Sequence, residues 1–170
     1  MNKEKLWLLL AVPVIVIDRL VKWWAGGLFL ALSGEYKNPV FLRPLIPGVD
    51  LLYARNTGAA FSSFSDMRWV LVAVSTAAAI VIILIVCKSW VEPRRFSVIS
   101  LGFVLGGAVG NLIDRAFLGY VVDMFEFTFV SFAVFNIADI FITAGGLCFC
   151  FFYIFYEKKR MKDARMDANG

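Results

Sequence analysis

Four stretches of the chain stay apolar over the length of a membrane span. Residues 6–31 carry no charge except Asp18, Arg19 and Lys22. Residues 69–87 and 96–113 carry none, and residues 132–156 carry only Asp139. Crossing a hydrocarbon core takes about 20 apolar residues as helix, within a range of roughly 17–25. The pattern predicts four transmembrane helices, at about 6–31, 69–87, 96–113 and 132–156. The first resembles a signal peptide at its start, since Lys3 and Lys5 precede the apolar run. Its apolar residues continue past Asp18 to Leu32, and three more spans follow, so it reads as a retained helix.

Two longer loops separate the spans on one side. The loop at 33–68 contains Pro39, Pro44 and Pro47-Gly48, then an apolar run over 49–53. Asn56-Thr57-Gly58 reads as a turn, and Phe61 and Phe64 follow it. Short strands lying on the bilayer surface are expected there. The loop at 114–131 is β-branched and aromatic over 121–130, which predicts an extended segment. The expected fold is therefore a membrane all-α protein of four spanning helices with a small extracytoplasmic β element. Residues 1–157 read as a single membrane-embedded domain, and 158–170 as a frayed, basic cytoplasmic tail.

Charge sets the orientation. Lys3, Lys5, Lys88, Arg94, Arg95, Lys158, Lys159, Arg160, Lys162 and Arg165 fall on one side. Only Lys37, Arg43, Arg55, Arg68 and Arg115 fall on the other, over longer loops. By the positive-inside rule both termini are cytoplasmic. The net charge of +4 then reads as topology and contact with lipid headgroups, not as nucleic-acid binding.

Composition narrows the class further. The chain of 170 residues is 61% hydrophobic and 18% charged, with 17 Phe. Its mean hydropathy is +0.78. A soluble enzyme, a disordered chain and a disulfide-rich secreted domain are excluded. With no His, Ser-His and Cys-His catalysis and imidazole metal sites are excluded as well. Cys87, Cys148 and Cys150 all sit in apolar runs and read as small membrane residues, so neither a metal nor a cofactor is expected.

The polar residues inside the spans carry the chemistry. An ionisable side chain at the bilayer centre costs on the order of 2.5–3.5 kcal/mol on insertion scales. Asp18 and Lys22 are four apart and share a helix face, which predicts an ion pair. Asn111, Asp114 and Arg115 lie together on the third span, and Asn136 and Asp139 on the fourth. Counting at 1.5 Å per residue, Asp18 lies about 18 Å beyond Leu6 and Asn111 about 22 Å beyond Phe96. Asp139 lies about 10 Å below Phe132. All fall in the outer half of a core about 30 Å thick, level with Asp123 in the second loop.

Helix-packing ion pairs explain Asp18–Lys22 and Asp114–Arg115 without invoking function. Asp123 and Asp139 have no basic residue within four positions. Two such carboxylates placed together share one proton. One then acts as a base toward water, and the other as an acid toward a carbonyl. That is aspartic proteolysis, with Asn111 and Asn136 available to orient the pair or the substrate. Gly102, Gly106 and Gly110, and Gly145-Gly146, read as small faces for helix packing.

Five blocks, in order, resemble the lipoprotein signal peptidase (signal peptidase II) family from the first helix to the fourth. They are Asp18-Arg19-Leu20-Val21-Lys22, Asn56-Thr57-Gly58-Ala59-Ala60-Phe61-Ser62, the run from Gly106 to Arg115, Val121-Val122-Asp123, and Phe135-Asn136-Ile137-Ala138-Asp139. The resemblance implies that Asp123 and Asp139 are the catalytic dyad. It implies supporting or substrate-binding roles for Asn56, Gly58, Asn111, Asp114, Arg115 and Asn136. It implies a diacylglyceryl-prolipoprotein substrate cut just before the lipidated lipobox Cys, and inhibition by globomycin-like peptides. It places the chain in the bacterial inner membrane among lipids, as a monomer with its site facing outward. Arg19 stands where the family usually has Gln, and Met124 where it usually has Phe. Phe125, Phe127 and Phe129, with Phe61 and Phe64, are placed to clamp the peptide. The competing readings are a proton-coupled transporter subunit and an assembly subunit. Polar residues confined to one side of the membrane argue against the first, and the unpaired Asp123 and Asp139 against the second.

Overall fold

The computed structural model describes residues 3–33, 40–58, 67–88 and 95–167. Phe61, Phe64, Pro39 and Arg94 lie outside these residues. A 3-10 turn over Lys3–Leu10 leads into α1, Ala11–Ser33. Strands β1 (Val40–Ile46) and β2 (Val49–Asn56) follow, then α2 (Arg68–Cys87) and α3 (Arg95–Phe117). Strand β3 (Val121–Phe127) precedes α4 (Ile137–Asp167).

Among the described residues, three helices are long and apolar enough to cross a membrane: Arg68–Cys87, Arg95–Phe117 and Ile137–Tyr156. α2 shows why lipid is its natural solvent. It leaves Trp69, Val74, Ile80 and Val81 exposed and buries only Ala79, Ile82 and Val86, against the 3-10 turn and α3. α1 is equally apolar on its outer side, with Val12, Val16, Leu20 and Trp23 exposed. Its charged residues turn the other way, into the protein.

α3 is the central element, and its glycines set the spacing. A Cβ added to Gly106 would lie 2.6 Å from Val14 Cβ on α1, and one on Gly110 would lie 2.7 Å from Asp18 Oδ2. Gly107 faces the other way and abuts the Ala138 carbonyl of α4. Gly145 meets the Ser100 carbonyl at 2.7 Å from its notional Cβ, whereas Gly146 has nothing within 4 Å. Gly146 therefore does not take part in the packing face expected of Gly145-Gly146.

The three strands form one antiparallel sheet in the order β1-β2-β3. Val40 pairs with Tyr53 and Ile46 with Val49 across the hairpin. Asn56 pairs with Val121, and Ala54 with Asp123. Gly48, at φ +91°, supplies the left-handed turn of the hairpin that most residues avoid. Side chains alternate across the sheet. Val122 and Met124 join Ala25, Phe29, Leu51 and Tyr53 in an apolar core, while Val121 and Asp123 face a cavity. Met124 is fully buried and points away from Asp123, so this departure from the family pattern is a packing matter.

Several element boundaries differ from expectation. α4 begins at Ile137 rather than near 132, because Phe135 exchanges backbone hydrogen bonds with Phe125 at 2.9 Å each way and holds the preceding residues extended. α3 runs to Phe117, so Asp114 and Arg115 are helical rather than in the loop. Gly119, at φ +86°, then reverses the chain, its N–H bonded to the Asp114 carbonyl at 3.2 Å. The helical backbone of α4 continues to Asp167, through most of the segment read as a frayed tail.

Candidate active site

The start of α4 is built by a reciprocal cap. Asn136 is the residue before the helix, and its Oδ1 accepts the Asp139 N–H at 3.0 Å. The Asp139 carboxylate answers by accepting the Asn136 N–H at 3.1 Å on Oδ2. A second acceptor reaches in from α1: Asp18 Oδ1 takes the Ala138 N–H at 3.2 Å. Three of the N–H groups that a helix start leaves open are thereby satisfied. The same cap holds Asp139 in one orientation.

Asn136 also joins the two carboxylates. Its Nδ2 donates to Asp123 Oδ1 at 2.6 Å and to Asn111 Oδ1 at 3.1 Å. Asn111 Nδ2 donates in turn to Asp139 Oδ1 at 2.8 Å. Asp123 Oδ2 accepts from Asn56 Nδ2 at 2.9 Å. Asn56 is aimed by its own turn, because its Oδ1 is occupied by the Gly58 N–H at 2.9 Å. Arg115 closes this group, donating from Nη2 to the Gly58 carbonyl at 2.9 Å. The end of β2 with its following turn, α3, β3 and the start of α4 thus converge on Asp123 and Asp139.

Burial raises the proton affinity of Asp123, and the negative charge of Asp139 raises it further; its pKa is pushed up to about 7. The amide donors of Asn56 and Asn136 and the charge of Lys22 oppose this shift.

Asp114 and its expected partner part company. Arg115 does not pair with Asp114; its guanidinium reaches the Gly58 carbonyl instead. Asp114 instead receives Arg19 Nη1 at 2.6 Å and Lys22 Nζ at 2.8 Å, both from α1. Asp18 pairs with Lys22 at 3.0 Å, as its spacing predicts, and with Arg19 at 2.8 Å. Two acids and two bases form a balanced cluster, with Asp18, Asp114 and Lys22 all buried. Asp114 Oδ2 also accepts the Val122 N–H at 3.3 Å, which ties β3 to the cluster.

Arg19 was not expected to join this network: one of its acceptors, Asp18, is adjacent in sequence, but the other, Asp114, lies 95 positions away. Arg68 was also unexpected. It donates to the carbonyls of Arg115 at 2.7 Å and Ala116 at 2.5 Å, and so caps the carboxyl end of α3.

A cavity of about 540 Å³ opens beside the carboxylates. Asn56, Asn111, Arg115, Asp123 and Asp139 line its polar end. Phe127, Phe132, Phe135, Ile140, Ala144 and Leu147 make the rest apolar, and it runs along the outward face of α4. Phe127, Phe132 and Phe135 pack on one another in its wall, with centroids 4.9 to 6.2 Å apart. Phe129 packs against Phe127 with the rings tilted and centroids 5.3 Å apart, but is largely exposed.

The profile of the signal peptidase (SPase) II family matches residues 10–155. The chain is 38% identical to a lipoprotein signal peptidase of Trichormus variabilis over 86% of its own length and 87% of that protein's. It is 37% identical to the Serratia proteamaculans protein of the same name, covering 82% of this chain and 81% of the relative. For that of Enterococcus faecalis the identity is 38%, covering 75% and 78%. Among solved structures, a bacterial membrane enzyme determined at 2.3 Å superposes with a TM-score of 0.74 over 87% of both chains. At 24% identity that likeness speaks for the fold alone.

Proposed function

The chain belongs to the signal peptidase II family of aspartic endopeptidases, and from that membership we propose Asp123 and Asp139 as its catalytic dyad. It is a multi-pass membrane hydrolase that removes the signal peptide from diacylglyceryl-modified bacterial prolipoproteins, cutting just before the lipidated lipobox Cys. The observation that carries the dyad assignment is the position of Asn136. Its side chain bonds Asp123 and its backbone N–H bonds Asp139, so the two carboxylates meet at one residue.

The proposed mechanism follows from that pairing. The pair holds one proton between them at neutral pH. The ionised carboxylate takes a proton from water, which attacks the scissile carbonyl. The protonated one donates to the carbonyl oxygen, and a gem-diol forms. When it collapses, the C–N bond breaks and the dyad returns a proton to the leaving amine of the Cys. Asn111 and Asn56 hold one carboxylate each in orientation. Arg115 keeps the turn at Gly58 against the site.

The cavity supports a substrate that arrives from lipid: it is polar only at the dyad and apolar along α4. In this reading α1 is a fourth span, both termini are cytoplasmic, and the sheet lies on the outer face of the inner membrane. The basic residues at 88–95 and 158–165 support that orientation. Membrane lipids surround a monomer, the domain spans residues 1–157, and globomycin-like peptides occupy the cavity. The deciding experiment is cleavage of a lipidated prolipoprotein by the purified chain in bilayer discs. Release of the signal peptide supports the reading; an inert folded enzyme refutes it.

A further inference from the structure

Lys22 makes a contact that an ion pair with Asp18 does not require. Its ammonium has three N–H donors, and all three are committed. Asp18 Oδ2 takes one at 3.0 Å and Asp114 Oδ2 another at 2.8 Å. The third goes to Asn111 Oδ1 at 2.9 Å. Asp18 and Asp114 thus form two legs of a tripod that aims the third N–H at Asn111. The side chain of Lys22 is only 4% exposed, so water does not compete for that bond.

The third bond carries chemical information. An amide side chain can turn over, exchanging its oxygen and nitrogen. Lys22 is donor-only, so the Asn111 atom facing it must be the oxygen. Asn136 Nδ2 donates to the same oxygen at 3.1 Å. The Asn111 nitrogen is thereby forced to the opposite side, where it meets Asp139 Oδ1 at 2.8 Å. A bond from a cation also polarises the amide and strengthens its N–H as a donor. We propose that Lys22 is a positioning residue for peptide cleavage: it fixes the amide of Asn111 so that its N–H groups hold the ionised form of the dyad. The proposal rests on Asp123 and Asp139 being the dyad.

The neighbouring charges define the control. Asp18 and Arg19 face Lys22 from α1, Asp114 and Arg115 lie on α3, Asp123 is on β3 and Asp139 on α4. Arg19 bonds the same two acids as Lys22, and its remaining bond goes to the Gly110 carbonyl at 3.1 Å, not to Asn111. A role confined to charge balance makes Lys22 and Arg19 equivalent. The proposed role makes them different.

The test compares Lys22→Met with Arg19→Gln, using lipidated prolipoprotein and turnover normalised to folded enzyme. Lys22→Met is expected to lower kcat roughly 10- to 100-fold with little change in KM. Withdrawing a cation disfavours the ionised dyad, so the acid limb of the pH profile moves to higher pH. Arg19→Gln is expected to lower Tm but to leave kcat and the acid limb near wild type. Lys22→Arg, also donor-only, restores part of the turnover. Asn111→Asp keeps an acceptor for Lys22 but cannot donate to Asp139, and it loses turnover while remaining folded. This variant decides the matter if Lys22→Met is not recovered folded. Wild-type kcat and pH profile in Lys22→Met or in Asn111→Asp overturn the proposal, as does an equal loss in Arg19→Gln. Asp139→Asn in the same assay separates the two readings. Full turnover there refutes the dyad, whereas an inactive Asp139→Asn beside a wild-type Lys22→Met refutes the role of Lys22 alone.

Discussion

Asn136 and Asp139 cap each other: the side-chain oxygen of the first accepts the backbone N–H of the second at 3.0 Å, and the carboxylate of the second accepts the backbone N–H of the first at 3.1 Å. A motif that normally just starts a helix here also holds a proposed catalytic group. Asn136→Ala removes the cap and both amide bonds, to Asp123 and Asn111. The expected result is a loss of about 1 kcal/mol or more of stability from the cap. Turnover per folded molecule should fall by a larger factor than stability alone explains, because both carboxylates lose their common support. Thermal melting and single-turnover cleavage on the same preparation check the two parts.

Helix spacing gives an independent test of the packing. Gly107→Ala drives a Cβ into the Ala138 carbonyl, immediately beside Asp139 in sequence. Overpacking of this kind costs about 1–3 kcal/mol. Gly146→Ala meets nothing within 4 Å and sits inside a helix. It is expected to be neutral or slightly stabilising. Equal melting temperatures for the two variants would contradict the α3–α4 contact.

The charge cluster predicts which acids matter for folding. Asp18→Asn or Asp114→Asn leaves Lys22 short of a counter-charge in a buried site. Breaking a buried pair from one side costs about 3–5 kcal/mol. Both variants should lose folded yield or Tm. Arg115→Gln leaves the cluster intact and releases Gly58, so it should keep its yield and lose turnover. A collapse of folded yield in Arg115→Gln, with Asp114→Asn unaffected, would reverse the assignment.

What the sequence made legible follows from the range of the interactions. Apolar length alone placed α2 and α3 to within a few residues, since lipid selects for it. The Asp18–Lys22 pair was readable because four residues bring two side chains onto one helix face. The partner of Asp114 was not readable. Arg115 is adjacent in sequence, but its guanidinium is taken up by the Gly58 carbonyl, and the true partners sit on α1. The start of α4 was misplaced for a similar reason. Residues 132–136 are apolar enough for a span, yet Phe135 is drawn into backbone pairing with Phe125. Roles for Asn56 and Gly58 were suggested only by resemblance, because a turn sequence does not announce which carboxylate it will reach. Arg68 capping α3 left no local signal at all.

Asp123 makes the pH dependence specific. Its folded pKa, about 7, lies above the ordinary carboxylate value of 3.8. The folded state therefore binds this proton more tightly than the unfolded chain does. Its contribution to stability is fully present below about pH 4 and is lost as pH rises through about 7. Between pH 5 and 8 the Tm of the wild type should fall more than that of Asp123→Asn, which has no proton to lose there. The alkaline limb of kcat/KM should show an apparent value near the same pH, reported for the pair. A Tm difference that is flat across this window would contradict the burial of an ionising group at this position.

The dyad itself is tested by exchanging each acid for its amide. Asp123→Asn and Asp139→Asn keep the size of the side chain, but neither can pass a proton. Loss of a positioned proton-transfer group is worth roughly 10²–10⁴-fold in rate. The two carboxylates act on one water and one carbonyl, so the double variant should be little slower than either single one. Folding should survive, because neither residue belongs to the buried Asp18–Arg19–Lys22–Asp114 cluster that ties α1 to α3. Asp139→Asn still presents a side-chain oxygen to the Asn136 N–H, so the start of α4 is kept. The measurement is cleavage of lipidated prolipoprotein, with melting temperature confirming that each variant is folded. Near-wild-type turnover in Asp139→Asn would sink the aspartic mechanism for this site. It would direct attention to a proton-relay role for the same carboxylates, since they would then lie beside an apolar cavity without acting on a peptide.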